Sequence, residues 1–144
     1  MDDFMRAAFK EARLGAEEGG VPIGAALVDG DSLVATGRNR RLQDTAPVMH
    51  AEINCLYNAG KTIQDFGGMT LYSTLMPCYM CAGAVLQFGI TKVVTAESKT
   101  ANEGFEMMVR HGVEVIDLDL DEAKSLLGEF IRTKPHQWHS HPPK

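Results

Sequence analysis

A single hairpin signal, followed by strict alternation of strand and helix patterns, constrains this chain more than any other feature. Asp29-Gly30 separates two β-rich runs, residues 21–28 and 32–37. Such a dipeptide suits the positive-φ positions of a tight hairpin turn. Beyond it, no two strand patterns are consecutive. The spacing predicts helix over 48–58, strand over 70–74, helix over 78–88, strand over 91–96, helix over 103–111, strand over 113–118 and helix over 121–131. A first helix precedes the hairpin, because Met5, Ala8, Phe9, Ala12 and Ala16 recur at helical spacing before Gly19-Gly20 stops the pattern. Pro77 suits the first turn of the 78–88 helix, and Asp119 or Asp121 the cap of the last one. Hairpin strands are antiparallel, whereas strands joined through a helix become parallel neighbours. The order α-β-β-α-β-α-β-α-β-α therefore implies an α/β fold of three layers, α-β-α, around a mixed five-stranded sheet.

The 144 residues suit one domain, 1–144, with a core of its own. No apolar run reaches the roughly 18–20 residues that a membrane span requires. The opening MDDFMRAAFKEA is acidic and charged throughout. It lacks the basic start and apolar block of a secretory signal, so a cytoplasmic protein without a membrane partner is expected. A formal net charge of −5 argues against a nucleic-acid partner, since polynucleotide binding is driven by a cationic face. The densest basic spot is Arg38, Arg40 and Arg41. Three cysteines are too few, and odd in number, for a disulfide framework. In a reducing compartment a C-x-x-C pair points instead to metal or redox chemistry.

Two short motifs carry that chemistry: His50-Ala51-Glu52, and Pro77-Cys78 followed by Cys81. Cysteine thiolates and histidine nitrogens are common zinc ligands. Cys78 and Cys81 lie about one turn apart at the start of a helix, where the partial positive charge favours thiolate. His50 sits near the start of the preceding helix. Both helices follow strands, so their N-termini can meet at one end of the sheet. Structural zinc sites are closed by four ligands, but only His50, Cys78 and Cys81 qualify here. Cys55 is over one turn further into the helix of His50 and is expected to be a plain buried thiol. Three ligands leave a coordination position open, the arrangement of catalytic sites. Glu52, beside a ligand but not needed as one, is placed to carry a proton from water to a substrate nitrogen. A purely redox C-x-x-C would need neither His50 nor Glu52. The Cys₂His set favours zinc, though iron can occupy such sites.

H-A-E with P-C-x-x-C resembles the signature of the zinc-dependent cytidine deaminase superfamily. EEGGVPIGAALV, GRNRRLQ, LYSTLMPCYMC and FIRTKPHQW extend the resemblance, over nearly the whole chain, to the yeast-type cytosine deaminases. That family implies a cytidine deaminase-like sheet, one Zn²⁺ per chain, a homodimer, and hydrolysis of free cytosine to uracil and ammonia. It implies that His50, Cys78 and Cys81 hold the zinc and that Glu52 shuttles protons. It also implies that Asn39 binds the carbonyl oxygen of the base, that the Ile23 carbonyl accepts the ring N–H, and that the Ala51 N–H touches the same end. Trp138 corresponds to an aromatic wall from the C-terminal segment. By itself Asn39 would read as a turn residue, and Trp138 as an anchor onto the core.

Three departures fall around the substrate in the resembled pocket. His141 stands where the family has an acidic residue, Met76 where it has serine, and the 98–102 loop lacks the family's aromatic lid. A base preference different from strict cytosine deamination is therefore expected. Isocytosine or a guanine-like purine is the nearest alternative. A tRNA adenosine deaminase and a non-catalytic zinc-stabilised interaction module are the others. Phe105, Met107 and Met108 are expected in the core, His111 as a cation at a helix end, and the Pro- and His-rich tail, 134–144, as flexible.

Overall fold

The computed structural model describes residues 1–139. It contains α1 (Asp3–Glu17), β1 (Gly24–Asp29), β2 (Ser32–Arg38), α2 (Ala51–Ala59), β3 (Thr70–Ser73), α3 (Tyr79–Gln87), β4 (Lys92–Thr95), α4 (Phe105–Arg110), β5 (Glu114–Asp117), α5 (Asp121–Thr133) and α6 (Pro135–His139). The five strands form one mixed sheet in the order β2-β1-β3-β4-β5. β1 pairs antiparallel with both β2 and β3, while β3–β4 and β4–β5 are parallel. This corrects one expectation. The helical crossover from β2 leads not to a parallel neighbour but to the far side of β1, so β3 lies antiparallel beside β1.

Alternation along the strands divides the core into two layers. Ala25, Leu27, Leu71 and Val93 pack with residues of α2 and α3 such as Cys55, Ala82 and Val85. Ala26, Val28, Tyr72 and Val94 face the other way, against Met5, Ala8 and Phe9 of α1. Helices therefore cover both faces, as the alternation requires. Gly37 marks the closest approach between β2 and α2. A Cβ there would lie 2.3 Å from the backbone nitrogen of Cys55 and 2.6 Å from its Cα, so only glycine lets the helix seat.

Several boundaries differ from the sequence reading, each for a local reason. Residues 21–23 are buried but are not strand: the Ile23 N–H turns back onto the Val21 carbonyl at 2.8 Å, across Pro22. α2 begins at Ala51, not at 48, because His50 is an extended N-cap with φ −70° and ψ 163°. Tyr57 of α2 is 62% exposed. Cys78 is the extended N-cap of α3, so Pro77 precedes the helix instead of opening it. Leu120, not an aspartate, caps α5; Asp119 has φ 51° and pairs with Lys124 at 2.5 Å. Phe105 is exposed while Met108 is fully buried. His111 is the C-cap of α4. The tail is helical over 135–139, where a flexible segment was expected. No helix among the described residues is long and apolar enough to cross a membrane.

Candidate metal and active site

The N-termini of α2 and α3 converge, as their positions after β2 and β3 predict. His50 and Cys78 are the two N-caps. An N-cap is extended, so its side chain points across the mouth of the helix rather than down its flank. Cys81 follows one turn into α3 and is fully buried. His50 Nδ1 lies 3.4 Å from Cys78 Sγ and 3.7 Å from Cys81 Sγ, and the three ligand atoms fall within 4.8 Å of one another. Tetrahedral coordination at ordinary Zn–S and Zn–N lengths puts sulfur and nitrogen about 3.6 Å apart. The cluster thus has the spacing that one zinc ion demands, on residues from two separate helices.

The electrostatics agree with a metal site. The Cys81 hydrogen bond and the His50 imidazole outweigh burial at Cys78 and hold its thiol down to about 3. Cys81, sharing its proton with Cys78 and buried beside it, is pushed well up. One negative charge is thus already shared by the pair. At His50 burial works against the charged form, but the Cys78 hydrogen bond and the nearby Glu52 carboxylate raise its affinity for a proton overall. Cys55 is not part of this cluster. Its thiol is fully buried, faces the Ala35 carbonyl at 3.5 Å, and is pushed up by burial.

Glu52 is 4% exposed and lines the same cavity as His50 and Cys78. Burial raises its proton affinity, the change that brings a carboxyl towards the range useful for moving protons near neutrality. Asn39, Ile23, Met76 and Trp138 line this cavity too. Asn39 is placed as a turn residue and also lines the cavity. Its Oδ1 accepts the Arg41 backbone N–H at 2.9 Å, as a turn residue would, which leaves the amide Nδ2 donors for the cavity. Ala51 is the first residue of α2, where a backbone N–H has no acceptor within its own helix. The Ile23 carbonyl already accepts from the Asn39 N–H at 3.0 Å; its second lone pair is available to a ligand. Ala101 reaches the cavity from the 98–102 loop. His141 lies outside the described residues.

Sequence reasoning missed two charged residues here. Arg41 was counted as part of a basic spot, yet it is 8% exposed, lines the cavity, and donates from Nη2 to the Gln137 carbonyl at 2.9 Å. That bond ties the tail, and Trp138 beside it, to the site. Glu103 also lines the cavity, although it belonged only to a predicted helix start. Arg41 lies in the GRNRRLQ segment, which was read for Asn39 alone, and Glu103 lies in none of the segments that carry the resemblance.

The volume open to the centre of a water molecule is about 80 Å³. A site of roughly 10–15 Å³ by this measure holds one water, so the cavity has room on the scale of a small heterocycle.

Comparison with known proteins is consistent with this geometry. The family described as "Cytidine and deoxycytidylate deaminase zinc-binding region" matches residues 1–97. A cytosine deaminase from Candida albicans is 36% identical over 139 residues, covering 93% of this chain and 91% of the relative. A tRNA-specific adenosine deaminase from Bacillus subtilis is 42% identical over 93 residues, covering 63% of this chain and 58% of the relative. Among solved structures, a guanine deaminase from Nitrosomonas europaea superposes with a TM-score of 0.77 at 26% identity, over 88% of this chain and 82% of that one. Family, fold and the His50, Cys78 and Cys81 cluster agree: the chain belongs to the zinc-binding cytidine and deoxycytidylate deaminase family and is a zinc-dependent deaminase.

Proposed function

We propose that this enzyme hydrolyses the amino group of a free nucleobase, with cytosine first, giving uracil and ammonia. The observation that carries the reading is Glu52: a buried carboxyl, with raised proton affinity, in a cavity shared with two residues of a three-ligand cluster. The full-length relative is a cytosine deaminase, which supports the choice of base. His50, Cys78 and Cys81 would hold the zinc ion, which would supply Lewis-acid activation of water at neutral pH. Glu52 would take one proton from the attacking water and deliver it to the ring nitrogen, then take the proton of the newly added hydroxyl and pass it to the amine, so that the C–N bond breaks, ammonia leaves and the carbonyl forms. Asn39 Nδ2 and the Ala51 N–H hold the base carbonyl, the Ile23 carbonyl takes the ring N–H, and Trp138 closes the cavity. Met76 fills the wall behind the site, buried and held by its N–H to the Glu97 carbonyl at 2.9 Å.

We also propose a single domain that acts as a homodimer. The apolar groove containing Tyr57, Phe66 and Phe88 supports this, since two of these rings are exposed.

Ammonia release measured over free bases, nucleosides and tRNA tests the reaction. Turnover of cytosine or a related free base, abolished in Glu52→Gln at unchanged zinc content, is the expected result. Turnover confined to tRNA overturns it and makes the enzyme a tRNA editor.

A further inference from the structure

We propose that Glu103 is a specificity-determining residue, whose carboxylate accepts a hydrogen bond from a second N–H donor on the substrate. The substrate class is then an amino-oxo heterocycle bearing an additional exocyclic amine. This assignment rests on the free-base reading above and refines its choice of base, from cytosine itself to a cytosine-like ring that carries a further amine.

Glu103 is held against the metal-ligand turn by its neighbour. The Gly104 N–H donates to the Pro77 carbonyl at 3.0 Å. A Cβ on Gly104 would lie 2.3 Å from that oxygen and 2.9 Å from the Cys78 carbonyl. The chain therefore passes the Pro77–Cys78 turn at a distance that only glycine allows, and the preceding residue, Glu103, lines the cavity. Its carboxylate has no hydrogen-bond or ion-pair partner among the described residues, and it is only half-buried while the cavity is open. Arg41, the cation that lines the same cavity, is committed to the Gln137 carbonyl.

A bound heterocycle would take water away from this carboxylate. Leaving an ionised oxygen desolvated and unpaired is costly. A carboxylate can only accept, so the ligand must offer it a donor. Cytosine has none to spare. Its amine faces Glu52 and the metal cluster, its carbonyl faces Asn39 and Ala51, and its ring N–H faces Ile23. A further amine on the ring would supply the missing partner, through a hydrogen bond strengthened by charge.

The test uses the zinc-loaded full chain with three substrates: cytosine, 5-aminocytosine and 6-aminocytosine. The two derivatives keep the carbonyl, ring N–H and reacting amine of cytosine and add one donor each. At least one should exceed cytosine in kcat/KM by about tenfold or more, mainly through KM. In Glu103→Ala that ratio should fall by roughly 10–100-fold, the effect of a hydrogen bond to a charged group. Glu103→Gln, which keeps the shape and an acceptor oxygen without the charge, should fall between the two. It carries the comparison if the alanine variant does not fold. Cytosine turnover with no preference for either derivative overturns the assignment, as does a preference that survives both substitutions. Ammonia release from no free base at all overturns the free-base reading, and this assignment with it.

Discussion

At the scale of single residues, the site separates three cysteines that look alike in the sequence. Cys78 is held as thiolate by its neighbours, whereas Cys55 is buried against β2 and its thiol is pushed up. Alkylation kinetics should resolve them. Zinc-loaded protein should react slowly at every cysteine; after chelation Cys78 should react first; Cys55 should react only on unfolding. Rapid labelling of Cys55 in folded protein would contradict its burial. Cys55→Ser should retain about one zinc per chain, and Cys78→Ala should lose it. For Glu52→Gln the expectation is a folded, zinc-loaded protein with kcat lowered by at least roughly 10²–10⁴-fold. Near-normal turnover would remove Glu52 from proton transfer.

At the scale of elements, close backbone approaches and one buried carboxylate hold the cavity walls in place. Gly37 lets α2, with His50 and Glu52 at its start, seat on β2. Gly37→Ala would drive a Cβ into the Asn54–Cys55 backbone. It should destabilise the fold by about 1–3 kcal/mol or more, seen as a lower urea midpoint at unchanged slope. Glu97 does comparable work after β4. It is 0% exposed; its Oε1 accepts the Thr100 N–H at 2.9 Å, and its main-chain carbonyl accepts from both Met76 N–H and Thr95 Oγ1. The other carboxylate oxygen, Oε2, is buried without a partner among the described residues. Glu97→Gln keeps an acceptor oxygen for the Thr100 N–H, so its stability should stay close to the wild type. Glu97→Ala should cost about 1–3 kcal/mol through the orphaned Thr100 N–H. It should also weaken substrate binding, because the loop carries Ala101 and Glu103. Equal stability of the two variants would show that the anchor is dispensable.

For the whole molecule, a zinc ion held by His50, Cys78 and Cys81 would clasp α2 to α3 across the end of the sheet. A ligand bound only by the folded state at about 100 times its Kd stabilises by about 2.7 kcal/mol. For a chain of this size that corresponds to roughly 5–11 °C in Tm. Chelation should lower Tm by this amount, reversibly on adding zinc, and an unchanged Tm would show that the cluster does not hold the helices together. The net charge of −5 makes a second expectation. Affinity for tRNA should be weak at physiological salt, without the steep salt dependence of a phosphate-binding track. Tight, salt-sensitive binding would favour the tRNA reading.

The sequence by itself determined the α/β alternation and the mixed sheet, and it singled out His50, Cys78 and Cys81 as candidate ligands with Glu52 beside them. All of these are local: a turn dipeptide, period-two and helical spacings, and two motifs whose members lie within four residues of each other. Two motifs at helix starts could be expected to meet because strands that end at one edge of a sheet launch their helices there. The tertiary structure alone decided that β3 crosses to the far side of β1, since sequence order does not reveal which edge a strand joins. It also decided that His50 and Cys78 act as extended caps, that Arg41 turns inward to hold the tail, and that Gly104 packs on the Pro77 turn beside Glu103, which lines the cavity. Those placements depend on contacts between segments tens of residues apart, and no spacing along the chain encodes which long-range neighbour a charged side chain will meet.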